Sequence, residues 1–256
     1  MQANEISLGD DQYRFHTTRW SVVVLSAQSK VPGFQTALSD LYRVYWYPLY
    51  AYVRRWDHSP EEAQDLTQGF FLHLLEHKTL ERADPLKGKF RSFLLGSLQN
   101  YLSSEAERAR CLKRGGGVEF VPLDLQNAEN RYRLEPIEAL TPEKVFAARW
   151  AVALLSEAMN RLRQEYATPK KAAILEVLKV FLDVANSKAP PSYEEAAATL
   201  QVSVGSVKTM IHRLRKEYAL LVREQIERTV SDPQEVDAEI HELCEALVAA
   251  EGWVMP

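Results

Sequence analysis

SPEEAQDLTQGFFLHLLEH, residues 59–77, is the stretch that decides the fold class. Ser59 can cap a helix, Pro60 suits the first helical position because it has no N–H to leave unpaired, and Glu62 completes a capping box with Ser59. Ala63, Leu66, Thr67, Phe70, Phe71, Leu74 and Leu75 then recur at spacings of three and four, giving one apolar stripe on a helix. Such a helix needs partners to cover that stripe, so the expectation is a helical bundle.

Working outward, Thr141-Pro142-Glu143 and Thr168-Pro169 repeat the cap-then-proline device. Leu38, Leu41, Tyr42, Tyr45, Leu49, Tyr50 and Val53 mark a helix upstream, where Pro48 either kinks it or sits at a bend of the chain. Strand signals are scarce. Residues 18–28 are ambiguous, the valine run favouring a strand and the length and cap favouring a helix. Residues 115–140 open on three glycines and continue through Pro122, Asn127, Asn130 and Pro136 without helical periodicity. At roughly 25 residues this span exceeds ordinary loop lengths and reads as a linker.

The expected fold is therefore all-α, with two helical domains joined by an extended linker and an extra C-terminal helix. The boundaries are an N-terminal extension (1–34), a first domain (35–114), the linker (115–140), a second domain (141–225) and an acidic extension (226–256).

The chain has 256 residues, is 46% hydrophobic and carries a net charge of -4. That charge argues against coating nucleic acid by bulk electrostatics, an affinity that grows with the number of phosphates neutralised. It is also unevenly spread. Residues 87–114 hold Lys87, Lys89, Arg91, Arg108, Arg110, Lys113 and Arg114 against Glu105 and Glu107, whereas from Glu224 onward nine carboxylates face Arg228 alone. Cys111 and Cys244 are too few for a disulfide framework or a thiolate metal site. The polar stretch before Trp20 is unlike a signal peptide, so a cytoplasmic protein without membrane insertion is expected.

Residues 191–216 read as helix, short turn, helix. Ser192-Tyr193-Glu194-Glu195 is a second capping box, Ala196, Ala197 and Ala198 allow close approach of a partner, and Ser203 can cap a helix from Val204. In that second helix Val207, Ile211, Leu214 and Tyr218 form the inward stripe. Ser206, Lys208, Thr209, His212, Arg213, Arg215 and Lys216 are left outside. A major groove admits a helix of this shape, yet a solubilising surface helix carries the same pattern, and this stretch by itself does not separate the two.

Elsewhere the chain resembles a known family. Asp65-Leu66-Thr67-Gln68-Gly69-Phe70-Phe71, Phe90-Arg91-Ser92-Phe93-Leu94-Leu95, Asn100 and the basic run ending at Arg114 resemble domain 2 of bacterial RNA polymerase sigma factors. Tyr193 to Ala197 with Val202 to Arg215 resemble sigma domain 4, in the order of the extracytoplasmic-function (ECF) type. The resemblance covers roughly residues 35 to 225. It implies that core RNA polymerase and promoter DNA are the partners, that an anti-sigma factor or other regulator is an open possibility, and that no cofactor, metal or catalysis is involved. A monomer is expected.

By the same resemblance Asp65 and Gln68 would dock on the polymerase clamp. Phe93, Asn100, Arg108, Arg110, Lys113 and Arg114 would serve the -10 element, where unpaired bases stack on aromatics and cations hold the backbone. Phe90 is read as core, and Phe93 is open between core and base stacking. Ser206, Lys208, Thr209, His212 and Arg213 would read the -35 element, with Arg215 and Lys216 on phosphates. The chain departs from the family at Gly69, where Glu is usual, at Ser104, where an acidic residue is usual, and at Gln201, commonly Gly.

Two other readings compete. A helix-turn-helix regulator would bind its operator unaided. A zinc hydrolase would use His73, Glu76 and His77, which spell H-x-x-E-H, but no downstream third ligand stands out. In the acidic extension Val236, Ile240, Leu243, Leu247 and Val248 mark an amphipathic helix. Two readings stand: it packs on the second domain or across the linker and masks basic surface until polymerase binds, or it is a solvated stabilising helix.

Overall fold

The computed structural model describes residues 34–84, 88–111, 125–133, 140–182, 191–230 and 232–251, and among these there is no strand. The ambiguous stretch 18–28, Lys87, Lys113 and Arg114 lie outside the described residues, as do the side chains of Leu38, Arg108, Arg110 and Cys111.

Helix α1 (Phe34–Arg54) continues through Pro48, whose missing N–H leaves one bond of the ladder unmade. The sequence pattern shows one apolar stripe, but every residue from 44 to 53 is buried. A helix buried on all sides is the axis of a core, and here two separate parts of the chain cover it. Helix α2 (Pro60–Glu76) lies on one side, opened by the expected capping box: Ser59 Oγ accepts from Glu62 N at 3.2 Å, and Glu62 Oε2 accepts from Ser59 N at 2.9 Å. Its stripe is buried at Ala63, Thr67, Phe70, Phe71 and Leu74. Thr67 satisfies its hydroxyl on the Ala63 carbonyl at 2.7 Å. Helix α3 (Phe90–Cys111) adds Phe90, Leu94 and Leu98 to the same core.

The linker span contains a helix, α4 (Leu125–Arg133). Periodicity did not announce it, because long-range contacts hold it: Ala128 and Tyr132 are buried, and Glu129 pairs with α1. Helix α5 (Pro142–Glu165) starts at the Thr141 cap, whose Oγ1 accepts from Lys144 N at 3.4 Å. At 24 residues it is about 36 Å long. Its first half covers the remaining face of α1, with Trp150 stacked on Tyr45 at 6.5 Å and Phe90 meeting Tyr45 edge-on at 5.6 Å. Truncating aromatic side chains buried this well typically costs about 3–5 kcal/mol each.

The second half of α5 enters a second core. Ala158 and Leu162 pack there against helix α6 (Pro169–Leu178), helix α7 (Tyr193–Leu200) and helix α8 (Val204–Glu227). Thr168 occupies the cap position of α6 but makes no side-chain cap bond, so Pro169 is the part of that device at work. Helix α9 (Val236–Glu251) turns back onto α5 and the end of α8, placing Val236, Leu243 and Ala250 in the first core. Helices α5 and α8 thus span both cores.

Candidate functional site

Helices α7 and α8 form the helix-turn-helix. Its first helix carries the second capping box, Ser192 Oγ accepting from Glu195 N at 3.1 Å and Glu195 Oε2 accepting from Ser192 N at 2.9 Å. The turn depends on Gln201, which is left-handed at φ 54° and ψ 44° and passes the chain to Val202, whose N–H bonds the Ala197 carbonyl at 3.1 Å. Ser203 Oγ then caps α8 through Ser206 N at 3.2 Å. Ala196 and Ala197 pack inward as expected, as do Val207, Ile211 and Leu214, whereas Ala198 is exposed and takes no part in the close approach. Tyr218 is half-buried and donates its hydroxyl to the Leu155 carbonyl at 3.1 Å.

That packing leaves Lys208, Thr209, His212, Arg213, Arg215 and Lys216 on the exposed face. They are not equivalent. Ser206, half-buried, shares a 2.9 Å hydroxyl contact with Ser203, and Thr209 donates to the Gly205 carbonyl at 3.0 Å. Arg215 turns back, its Nε and Nη2 donating to the Phe181 carbonyl at 3.2 and 3.0 Å, which ties α8 to the turn after α6. Lys208 Nζ lies 5.4 Å from the Tyr193 ring centroid, and Tyr193 stacks on Phe181. His212 and Arg213 project as neighbours, with Lys216 about one turn further on. The arrangement offers hydroxyls early in the helix and cations later, suited to base edges and phosphates respectively.

The upstream candidates sit on α2 and α3. Asp65 is exposed and Gln68 half-buried, flanking the buried stripe of α2. Gly69 faces α3, where the Tyr101 hydroxyl lies 2.3 Å from where a Cβ would stand. Tyr101 packs on Phe70 at 5.7 Å and on His73 at 5.3 Å, so it belongs to the α2–α3 contact. Phe90 is core. Phe93 is half-buried, packs against the first core and stacks on Phe90 at 6.0 Å. Asn100 is exposed, and Ser104 donates to its carbonyl at 3.0 Å.

Two ionic clusters join parts of the chain that no local pattern connects. In the first, Arg54 grips Glu129 of α4 in fork fashion, Nε at 3.1 Å and Nη2 at 2.9 Å, while the Tyr50 hydroxyl donates to the same carboxylate at 2.9 Å. Burial, with the Glu129 carboxylate beside it, pushes the Tyr50 hydroxyl well above its ordinary range; the Glu129 bond also raises Arg54. In the second, Lys89 and Arg91 at the head of α3 meet Glu239 and Glu242 of α9. Sequence reasoning placed Lys89 and Arg91 in a basic island and the glutamates in an acidic tail. Opposite charge was the available signal, and their juxtaposition required the fold.

His73 and His77 stack at 4.2 Å between ring centroids, and His77 Nδ1 lies 3.3 Å from the His73 carbonyl. Among the described residues no group of three or more His, Cys, Asp or Glu side chains is placed to hold a metal ion. Nor is any helix among them long and apolar enough to cross a membrane.

Residues 41–110, covering α1 from Leu41 through α2 and nearly all of α3, match the family model described as sigma-70 region 2. No curated protein and no solved structure matches the chain.

Proposed function

We propose that the protein is a sigma-70 family factor of the ECF type, a reading supported by the match of residues 41–110 to sigma-70 region 2. Region 2 supports core RNA polymerase and promoter DNA as partners. The finer reading is that the protein directs promoter-specific initiation by opening the -10 element with its first half and reading the -35 element with α8. It performs no catalysis of its own, works in the cytoplasm as a monomer and takes no cofactor.

The observation that carries this reading is the coincidence, in one chain, of the region 2 match with a downstream helix-turn-helix whose exposed face is polar and cationic. Asp65 and Gln68 dock on polymerase. Phe93, Asn100, Arg108, Arg110, Lys113 and Arg114 engage the opened -10 strand. Ser206, Lys208, Thr209, His212 and Arg213 read the -35 duplex, and Arg215 and Lys216 lie along its phosphates. The net charge of -4 fits a protein that holds DNA weakly alone and firmly within holoenzyme.

Paired substitutions test the assignment. Asp65→Ala should lower affinity for core polymerase several-fold and leave the -35 surface intact. Arg213→Ala should leave core binding unchanged and lower promoter binding by the holoenzyme roughly ten-fold, as expected for one lost base or phosphate contact. Tight operator binding by the free protein, indifferent to polymerase, would instead identify a stand-alone regulator.

A further inference from the structure

The head of α3 is occupied by the chain's own acidic helix. Glu239 is 1% exposed, with its carboxylate 2.5 Å from Lys89 Nζ and 2.9 Å from Arg91 Nε. Glu242 lies one turn nearer solvent and reaches Lys89 Nζ at 2.7 Å and Arg91 Nη2 at 2.6 Å. Trp150 backs the Arg91 guanidinium at 5.2 Å. Val236, Leu243 and Ala250 seat α9 in the first core, and Asp237 ties its start to Arg223 at 2.6 Å. Phe93, a half-buried aromatic of α3, is two residues beyond Arg91.

A carboxylate pair here offers the two cations the same chemistry as a phosphate: anionic oxygens matched to an ammonium and a guanidinium fork. We propose that α9 is a built-in competitor for nucleic acid at the head of α3, holding Lys89 and Arg91 until DNA displaces it. This rests on reading α3 as the strand-opening helix. Exclusion follows from the burial of Glu239. If a phosphate takes Lys89 and Arg91, that carboxylate is left charged and unpaired inside the protein, a state costly enough to drive α9 off its seat. Helix α9 and DNA therefore do not share these cations.

The test compares the full chain with Glu242→Gln and with Glu239→Gln/Glu242→Gln, measuring fluorescence anisotropy of a mixed-sequence single-stranded DNA oligonucleotide across a salt series. The double variant should bind roughly 3- to 10-fold tighter. Its log K against log salt should be steeper by about 1.4, since each phosphate contact on a single strand adds about 0.7 to the slope. Adding Lys89→Gln/Arg91→Gln should abolish the gain. Glu242→Gln alters a half-exposed side chain and keeps the buried partner, so it should fold and show part of the gain; it decides the matter if the double variant does not fold. In the unsubstituted protein carrying Cys111→Ser, a fluorophore on exposed Cys244 should report release of α9 when the oligonucleotide is added. Unchanged affinity and slope in a folded variant, or an α9 that stays seated on bound DNA, would overturn the proposal. Transcription assays with core polymerase separate the two readings. A transcribing holoenzyme whose variants gain nothing would sink the competitor alone, whereas a binding gain without any promoter-specific transcript would sink the sigma assignment and leave the competition standing.

Discussion

Gly69 on α2 and Tyr101 on α3 are fitted to each other: the Tyr101 hydroxyl stands where a side chain on residue 69 would begin. A side chain at residue 69 therefore has no room while Tyr101 keeps its place. A Cβ would meet the hydroxyl oxygen first, while the ring carbon bearing it, at 3.5 Å, would be in ordinary contact.

The pair predicts a sign change. Gly69→Ala alone should destabilise the protein, because the rigid ring must shift from its seat on Phe70. In a Tyr101→Phe background the obstruction is gone, and the same substitution should stabilise by about 0.5–1 kcal/mol through helix propensity alone. Urea unfolding of the four proteins measures it; equal effects in both backgrounds would contradict the fit.

Gln201 holds a left-handed conformation in the turn between α7 and α8, where a side chain pays a steric penalty that glycine avoids. Gln201→Gly should stabilise the protein by about 0.5–1 kcal/mol, after allowance for the extra freedom glycine gains on unfolding. Calorimetry should show a melting temperature raised by a few degrees, with the α8 surface unaltered.

Arg54 and Glu129 are a largely buried pair, their side chains 16% and 8% exposed, and Tyr50 shares the carboxylate. Glu129→Ala leaves the Arg54 cation inside without its partner and should cost about 3 kcal/mol, seen as a lower denaturant midpoint. The loss should be smaller for Glu129→Gln, which still accepts from Tyr50 and Arg54. It should be accompanied in the alanine variant by faster amide exchange across α4, since this pairing helps the buried Ala128 and Tyr132 hold that helix.

The Lys89 bond, then the charges of Lys89 and Arg91, hold the Glu242 carboxyl below its ordinary value of 4.5. Burial pulls the Lys89 ammonium down, but its bonds to Glu239 and Glu242 outweigh this and raise it. A carboxyl lowered in the folded state contributes stability that is complete above its unfolded value and is lost as pH falls through its folded one. The melting temperature of the unsubstituted protein should therefore exceed that of Glu242→Gln by a constant margin above about pH 5. The margin should close as the solution is acidified below 4.5. A margin that persists at low pH would contradict the ion pairing of α9.

What the sequence made legible was whatever is decided within a few residues. Both capping boxes, Ser59 with Glu62 and Ser192 with Glu195, formed as read, and the Val207, Ile211 and Leu214 stripe set the outward face of α8. Contacts made across the chain were not legible. Helix α4 escaped notice because Glu129 finds Arg54 75 residues away, and the all-round burial of α1 depends on α5 arriving from the second half. Arg215 is an exposed cation, as its place in the pattern implies, but its bond to the Phe181 carbonyl, 34 residues upstream, is set by the fold. The meeting of Arg91 with Glu239 spans 148 residues, and charge alone could nominate both ends without pairing them.

The most direct measurement is run-off transcription with cognate core polymerase on genomic promoter fragments. The account predicts discrete, promoter-specific transcripts that require this protein and that fall sharply with Asp65→Ala or Arg213→Ala. Absence of any protein-dependent transcript, together with no binding to core polymerase, would contradict it.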